Sequence, residues 1–342
     1  MLVQGIHHVC IRCEKSEIEK VKEFYQGVLG MPVILLYNFE AAIFRSIGDT
    51  RTPLVALTLS GVLNVALNLF FVLVLKMTVN GVATATVLAN CFSSLVLLRR
   101  LLTTDLPVRI TLRDLGIDVH IFKKIMSIGL PSGIQSAVFS ISNIVIQSAI
   151  NSLATVVIAA SSAAFNIEIM AYYVLNSFSQ ACTTFVGQNY GAGRLDRCRK
   201  ALILCLVEDL IASACAIGLV LLCGKSLLAI FNNDPEVIAI GYTRLLIIFS
   251  AYTFSMLYEV MSGYLRGFGI SLVPAVLTTL GVCGVRISWI QFVFPLRRTF
   301  STIMIAYPAS LSATALLIGI ALFVYQPSRR YAAKQAKQYA GC

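Results

Sequence analysis

The stretch "FRSIGDTRTP", Phe44 to Pro53, returns in altered form as "LRGFGISLVP", Leu265 to Pro274. Arg45 and Arg266, Gly48 and Gly269, and Pro53 and Pro274 stand 221 positions apart, and each stretch lies between two long apolar runs. The same offset pairs Leu36 with Leu257, Tyr37 with Tyr258, Thr58 with Thr279 and Leu59 with Leu280. Apolar helices match one another by chance at Leu and Val, whereas Arg, Gly and Pro are not the residues such chance favours. Each copy obeys one logic: a helix ends at a basic residue, Gly permits a tight connection, and Pro opens the next helix where its missing N–H costs nothing. The chain reads as two related halves.

The runs on either side are long enough to fix the solvent. Of the 342 residues, 58% are hydrophobic and 13% charged, against roughly a quarter charged in an ordinary soluble domain. A hydrocarbon layer about 30 Å thick takes roughly 20 apolar helical residues. Boundaries at charges, Pro and polar clusters predict spans at Pro53 to Leu75, Val79 to Leu98, Ile128 to Ile150, Val156 to Gln180, Ala201 to Cys223, Val237 to Gly263, Pro274 to Phe294 and Thr302 to Tyr325. A further run, Gly27 to Gly48, is interrupted by Pro32, Glu40 and Arg45. The fold class is an all-α polytopic membrane protein.

The net charge of +11 does not point to nucleic acid, because the basic residues are divided among connections between spans instead of gathering on one soluble face. Arg45 and Arg51, the segment from Arg99 to Lys124, the cluster Arg194 to Lys200, Arg266, and Arg329 to Lys337 all fall in alternate connections, with Lys76, Lys225, Arg297 and Arg298 in the others. The positive-inside bias then places the first set and the C-terminus in the cytoplasm, with the plasma membrane the expected location. Repeated halves are a frequent plan for secondary transporters, in which two lobes rock about a site between them.

"LLYNFEAAIFRSIGDTRTPL", "IGLPSGIQSAVFSISNIVIQSAIN", "TTFVGQNYGAGRLDR" and "YEVMSGYLRGFG" resemble the multidrug and toxic compound extrusion (MATE) family of cation-coupled exporters, over about residues 33–325. The resemblance implies two six-helix lobes, with residues 33–102 the end of the first (the last part of helix four, then helices five and six). It also implies a basic cytoplasmic linker at 103–127, the second lobe at 128–325 and a basic tail at 326–342. On this register the first lobe lacks about three and a half helices, because the partner of Ile128 would lie before Met1. The implied activity is export of drugs or small organic cations by antiport with sodium or protons, without cofactor, nucleotide or enzyme chemistry. The register of the coupling acid that the family often holds in helix ten is occupied by Ser255, and that in helix seven falls near Phe139.

Residues 1–32 are patterned differently. Ile6, Val9 and Ile11 alternate with polar residues as in a short strand, and Ser16-x-x-Glu19 is a capping box opening an amphipathic helix. "HHV" and "FYQGVLGMP" resemble the first strand and helix of the glyoxalase-like vicinal oxygen chelate enzymes, in which His8 would match the first metal ligand. One imidazole cannot close a divalent site, so His8 is read as a remnant ligand and no metal is expected. A remnant without transport and a membrane-tethered glyoxalase-like enzyme are the alternatives to an exporter.

Ionisable side chains within hydrocarbon are costly and therefore informative. Glu168, in "AAFNIEIMAYY", is read either as a cation or proton carrier or as half of a buried pair with Arg286. Glu259, seven residues before Arg266 and beside Tyr258, is the second carrier candidate. Gln135, Asn143, Asn166, Tyr258 and Arg286 are candidates for the substrate path, with helix gluing the alternative use of the amides. Glu208 and Asp209 fit a structural role better than transport. "VGQNYGAGR" lacks the Gly-Lys-Ser/Thr ending of a phosphate loop, which argues against a nucleotide.

Overall fold

A computed structural model describes residues 30–77, 79–106, 108–111, 116–328 and 330–331. The expected N-terminal strand and helix, His8 and the end of the basic tail lie outside them. The described residues form helices and connections without a strand. We number the helices α1 (Met31–Ser46), α2 (Arg51–Leu69, continued by a π-helical turn over Phe70–Val74), α3 (Val79–Thr103), α4 (Val119–Asn151) and α5 (Thr155–Gly191). There follow α6 (Leu195–Ala229), α7 (Pro235–Phe249), α8 (Tyr252–Gly267), α9 (Leu272–Leu296, with π-helical turns over Thr279–Gly284 and Trp289–Val293) and α10 (Phe300–Tyr325).

Seven of these segments are long and apolar enough to cross a bilayer, and α7 with α8 makes an eighth, bent by 47°. The eight cover the eight runs read from the sequence. Their outward faces carry large apolar side chains, with Leu222, Phe323 and Phe292 each more than two-thirds exposed. In water that surface would be a heavy penalty; in hydrocarbon it is the favoured one. One difference from the sequence reading is the bend, since Val237 to Gly263 reads as a single span. At the break Ser250 Oγ donates to Ile247 O at 2.7 Å, and Ala251 N bonds Ile248 O at 3.1 Å, three residues back. A hydroxyl that competes for backbone carbonyls, together with a tightened last turn, ends α7 there.

The repeat is visible in the elements themselves. Helices Met31–Ser46, Arg51–Val74 and Val79–Thr103 are followed 221 positions later by Tyr252–Gly267, Leu272–Leu296 and Phe300–Tyr325. The connections agree atom for atom. Gly48 (φ 86°) and Gly269 (φ 79°) are left-handed. Gly48 N donates to Arg45 O at 3.0 Å and Asp49 N to Phe44 O at 3.0 Å, while Gly269 N donates to Arg266 O at 2.8 Å and Ile270 N to Leu265 O at 3.1 Å. Both are Schellman caps, which require a left-handed residue that Gly adopts without cost.

The chain divides into two compact units, residues 1–117 and 118–342. In the first, α1, α2 and α3 close around Ala41, Phe44, Ala56, Leu97 and Leu101, and the buried Glu40 accepts from Ser94 Oγ at 2.9 Å. In the second, α5 is the central strut. At 37 residues it is about 55 Å long at 1.5 Å per residue, and it packs against α6, α7 and α8. Close approach to α8 depends on Gly263 and Gly267, spaced as Gly-x-x-x-Gly: a Cβ on Gly263 would stand 2.6 Å from Ser179 O, and one on Gly267 2.7 Å from Val186 Cβ. The contact is stapled by Ser179 Oγ donating to Glu259 O at 2.7 Å and Thr183 Oγ1 to Gly263 O at 3.0 Å. Small residues that let backbones meet, with hydroxyls bonding across, are how membrane helices associate.

Gly263→Ala is therefore expected to force α5 and α8 apart and to cost about 1–3 kcal/mol, read as a lower melting temperature of the detergent-solubilised protein. Gly129→Ala, at a position with open space around it, is the control and should not lower melting, since Ala is the better helix former.

Candidate functional site

The second unit encloses two adjoining chambers. An unpaired ion in a low-dielectric medium costs several kcal/mol, so the way each buried charge of the interior is held is informative. On α5, Glu168 finds a partner in Arg244 of α7. Arg244 Nε donates to Glu168 Oε1 at 2.6 Å and a terminal nitrogen to Oε2 at 2.8 Å, a fork-to-fork pair, and the other terminal nitrogen bonds Ser161 Oγ. Both side chains are buried, Arg244 to 3% exposure and Glu168 to 8%. The Tyr252 hydroxyl donates to Glu168 O at 3.2 Å, and its ring stacks on Phe249 across the bend, centroids 4.5 Å apart. The bend thus turns α8 so that Tyr252, Ser255 and Tyr258 line the same chamber as Glu168.

That chamber, about 260 Å³, is largely aromatic and aliphatic: Phe139 and Asn143 of α4, Phe165, Glu168, Ile169 and Tyr172 of α5, Ile248 of α7, the three α8 residues, Arg286 of α9, and Tyr307 and Leu311 of α10. Arg286 sits on one α-helical turn between the two π-helical turns of α9, a backbone irregularity that often accompanies functional positions. Its Nε donates to Ser310 Oγ at 3.0 Å, and its guanidinium lies 4.2 Å over the Tyr307 ring and 5.4 Å from that of Phe139.

The second chamber, about 290 Å³, is polar. Ser132, Gln135, Ser136 and Phe139 of α4, Tyr172, Asn176 and Gln180 of α5, Glu259 and Arg266 of α8, and Thr278 of α9 line it, so Phe139 and Tyr172 are common to both. The Glu259 carboxylate stands 3.6 Å from an Arg266 terminal nitrogen, and both side chains keep partial exposure, 17% and 25%. Arg266 also reaches Ser179 Oγ at 3.4 Å. This is a loose contact, open to whatever enters, where Glu168–Arg244 is short and closed.

Of the residues singled out from the sequence, Glu168, Asn143, Tyr258 and Arg286 come together in the apolar chamber, and Gln135 and Glu259 in the polar one. Asn166 lines neither; it is exposed and donates to Ser162 O of its own helix at 3.0 Å. The pairing suggested for Glu168 is corrected, since its partner is Arg244 and not Arg286. Arg244 was missed, although a cation in the otherwise oily "GYTRLLIIF" was the available signal: such a charge requires a buried counter-ion, and Glu168 was the acid in need of one. Tyr307, the ring beneath Arg286, gave no signal among so many aromatics. Among the described residues no group of three or more His, Cys, Asp or Glu side chains is placed to hold a metal.

The comparisons with known proteins agree with this architecture. Over 94% of this chain and 72% of the other, the structure superposes with a TM-score of 0.83 and 20% identity on a crystal structure of MATE in complex with MaD3S. The fold is that of a MATE transporter. An outward-facing multidrug resistance MATE family transporter of the MOP superfamily matches with a TM-score of 0.80 at 22% identity, over 91% of this chain and 70% of that one. The family model described as MatE matches residues 131–290, which run from within α4 through α5, α6, α7 and α8 into α9. Among curated relatives, the probable multidrug resistance protein YoeA of Bacillus subtilis is 25% identical over 86% of this chain and 66% of its own length. The probable multidrug resistance protein NorM of Thermotoga maritima is 26% identical over 80% and 59%. The chain thus spans between about three-fifths and two-thirds of the length of these two relatives.

Glu168→Gln leaves Arg244 buried without its counter-charge and is expected to cost about 3–5 kcal/mol, seen as a large drop in melting temperature. Replacing both partners, Glu168→Gln with Arg244→Met, should recover most of the loss. Equal melting of the single variant and the parent would refute the pairing.

Proposed function

We propose that this protein is a MATE-type secondary transporter that exports drugs or other small organic compounds across the plasma membrane in antiport with sodium or protons. The observation that carries the proposal is Glu259: a partly exposed carboxylate in a polar chamber, in loose contact with Arg266, within a MATE fold. An arriving cation or proton changes the charge of that contact and releases Arg266, and the ion does work if the two lobe arrangements bind it with different affinity. The names of the relatives support export of drugs. Residues 33–102 correspond on this reading to the end of one lobe, 103–127 to the basic linker and 128–325 to the other lobe. The C-terminus is cytoplasmic by the distribution of Lys and Arg.

Of the two carriers read from the sequence, Glu259 takes the coupling role. Glu168 has both oxygens committed to Arg244 and holds the chamber wall instead. The apolar chamber would receive the flat body of the substrate against Phe139, Phe165, Tyr172 and Tyr307. Organic cations, the class suggested by the resemblance, would be drawn to those ring faces and repelled by Arg286 in the same wall.

In cells stripped of other pumps, efflux of a fluorescent drug by the protein is expected to fall about tenfold or more with Glu259→Gln at equal expression, the scale of an ordinary coupling free energy. Undiminished efflux would remove Glu259 from the mechanism.

A further inference from the structure

We infer that the apolar chamber recognises the anionic group of an amphipathic organic compound, a carboxylate or similar oxyanion on an aromatic body, and that Arg286 is the residue that binds it. The transporter reading bears only on what the bound compound does next; the recognition itself rests on the chamber. Arg286 is 4% exposed and lines the cavity. Among the described residues its guanidinium makes one hydrogen bond, from Nε to Ser310 Oγ at 3.0 Å, and no carboxylate lies within ion-pairing distance of it. Its two terminal nitrogens therefore have no acceptor among the described residues, although guanidinium nitrogens match a carboxylate edge to edge.

The charge balance of the wall points the same way. Glu168 is the acidic residue of the lining, and both its oxygens are held by Arg244. That pair is neutral, so Arg286 leaves the chamber with a net positive charge. Aromatic rings flank the guanidinium without neutralising it, with the Tyr307 centroid at 4.2 Å and that of Phe139 at 5.4 Å. A buried cation without a counter-ion among the described residues is costly, and an incoming anion lowers that cost. Beside it, Asn143 and Ser255 can hydrogen-bond a polar substituent, while Phe165, Tyr172 and Leu311 cover an apolar body. A lone inorganic anion would satisfy the charge but leave those faces uncovered.

The test compares 4-phenylbutyrate with 4-phenylbutylammonium, of nearly equal size and opposite sign, on the purified full chain. Binding is followed by calorimetry and by the emission of Trp289, the single tryptophan, three residues from Arg286 on the same helix. Phenylbutyrate is expected to bind at least about tenfold more tightly than the ammonium, the scale of a charge-assisted hydrogen bond. Arg286→Gln should abolish the preference; Arg286→Lys, which keeps charge and loses the fork, should keep its sign and weaken it. Equal affinity for the two compounds, or tighter binding of the ammonium, would overturn the inference, as would chloride binding as strongly as phenylbutyrate. The wild-type comparison decides even where Arg286→Gln does not fold. Drug efflux without carboxylate preference would sink this inference and leave the transporter reading standing; carboxylate preference without efflux would do the reverse.

Discussion

Much of the second unit depends on one buried ion pair. Between Glu168 of α5 and Arg244 of α7 two charges that hydrocarbon would reject cancel in a bidentate contact, with Ser161 satisfying the remaining arm. The pair does more than neutralise. It fixes the upper half of the bent span to the central helix, and the Tyr252 hydroxyl on the Glu168 carbonyl fixes the lower half next to it. The chamber is the space left beneath that joint. An apolar joint of the same volume is often no less stable, but it would not tie two helices in one register around a cavity.

Polarity is partitioned accordingly. The apolar chamber holds one neutral pair and one cation, and the polar chamber holds a loose pair among amides and hydroxyls. Phe139 and Tyr172, shared by both, set an aromatic boundary between a place suited to a flat organic guest and a place suited to a small ion. Two ligands coupled across such a boundary need not touch; each needs only to favour one arrangement of the helices.

Much of this was legible in the sequence. Arg45, Gly48 and Pro53 against Arg266, Gly269 and Pro274 announced the duplication, and three helices with two identical caps reproduce it at the same offset. The eight spans followed from hydropathy because hydrocarbon allows so few backbone solutions. Other features depend on contacts between distant residues, and sequence order does not encode those directly. The partner of Glu168 stands 76 positions away, and the sequence reading named Arg286 for that place and passed over Arg244. The bend at Ser250 and Ala251 contains neither Pro nor Gly, so no breaker marked it. Asn166 was placed in the path by its proximity to Glu168 in sequence, but two residues along a helix is about 200° around it, and the side chain faces away.

The stapling of α5 has a mechanical corollary. α7 is welded to it through the Arg244 fork, and α8 through Ser179 and Thr183. That makes a rigid three-helix frame on one side of both chambers. On α4, which lines both chambers, Ser132, Ser136 and Ser140 each donate to the carbonyl four residues back in their own helix. Near its start Ser127 O accepts from Ser271. α4 instead meets α9 and, through Phe139, Arg286, and no ion pair among the described residues ties it to the frame. The ties that hold charge thus lie on one side of the cavities, and a substitution on α4 would leave the Glu168–Arg244 weld intact.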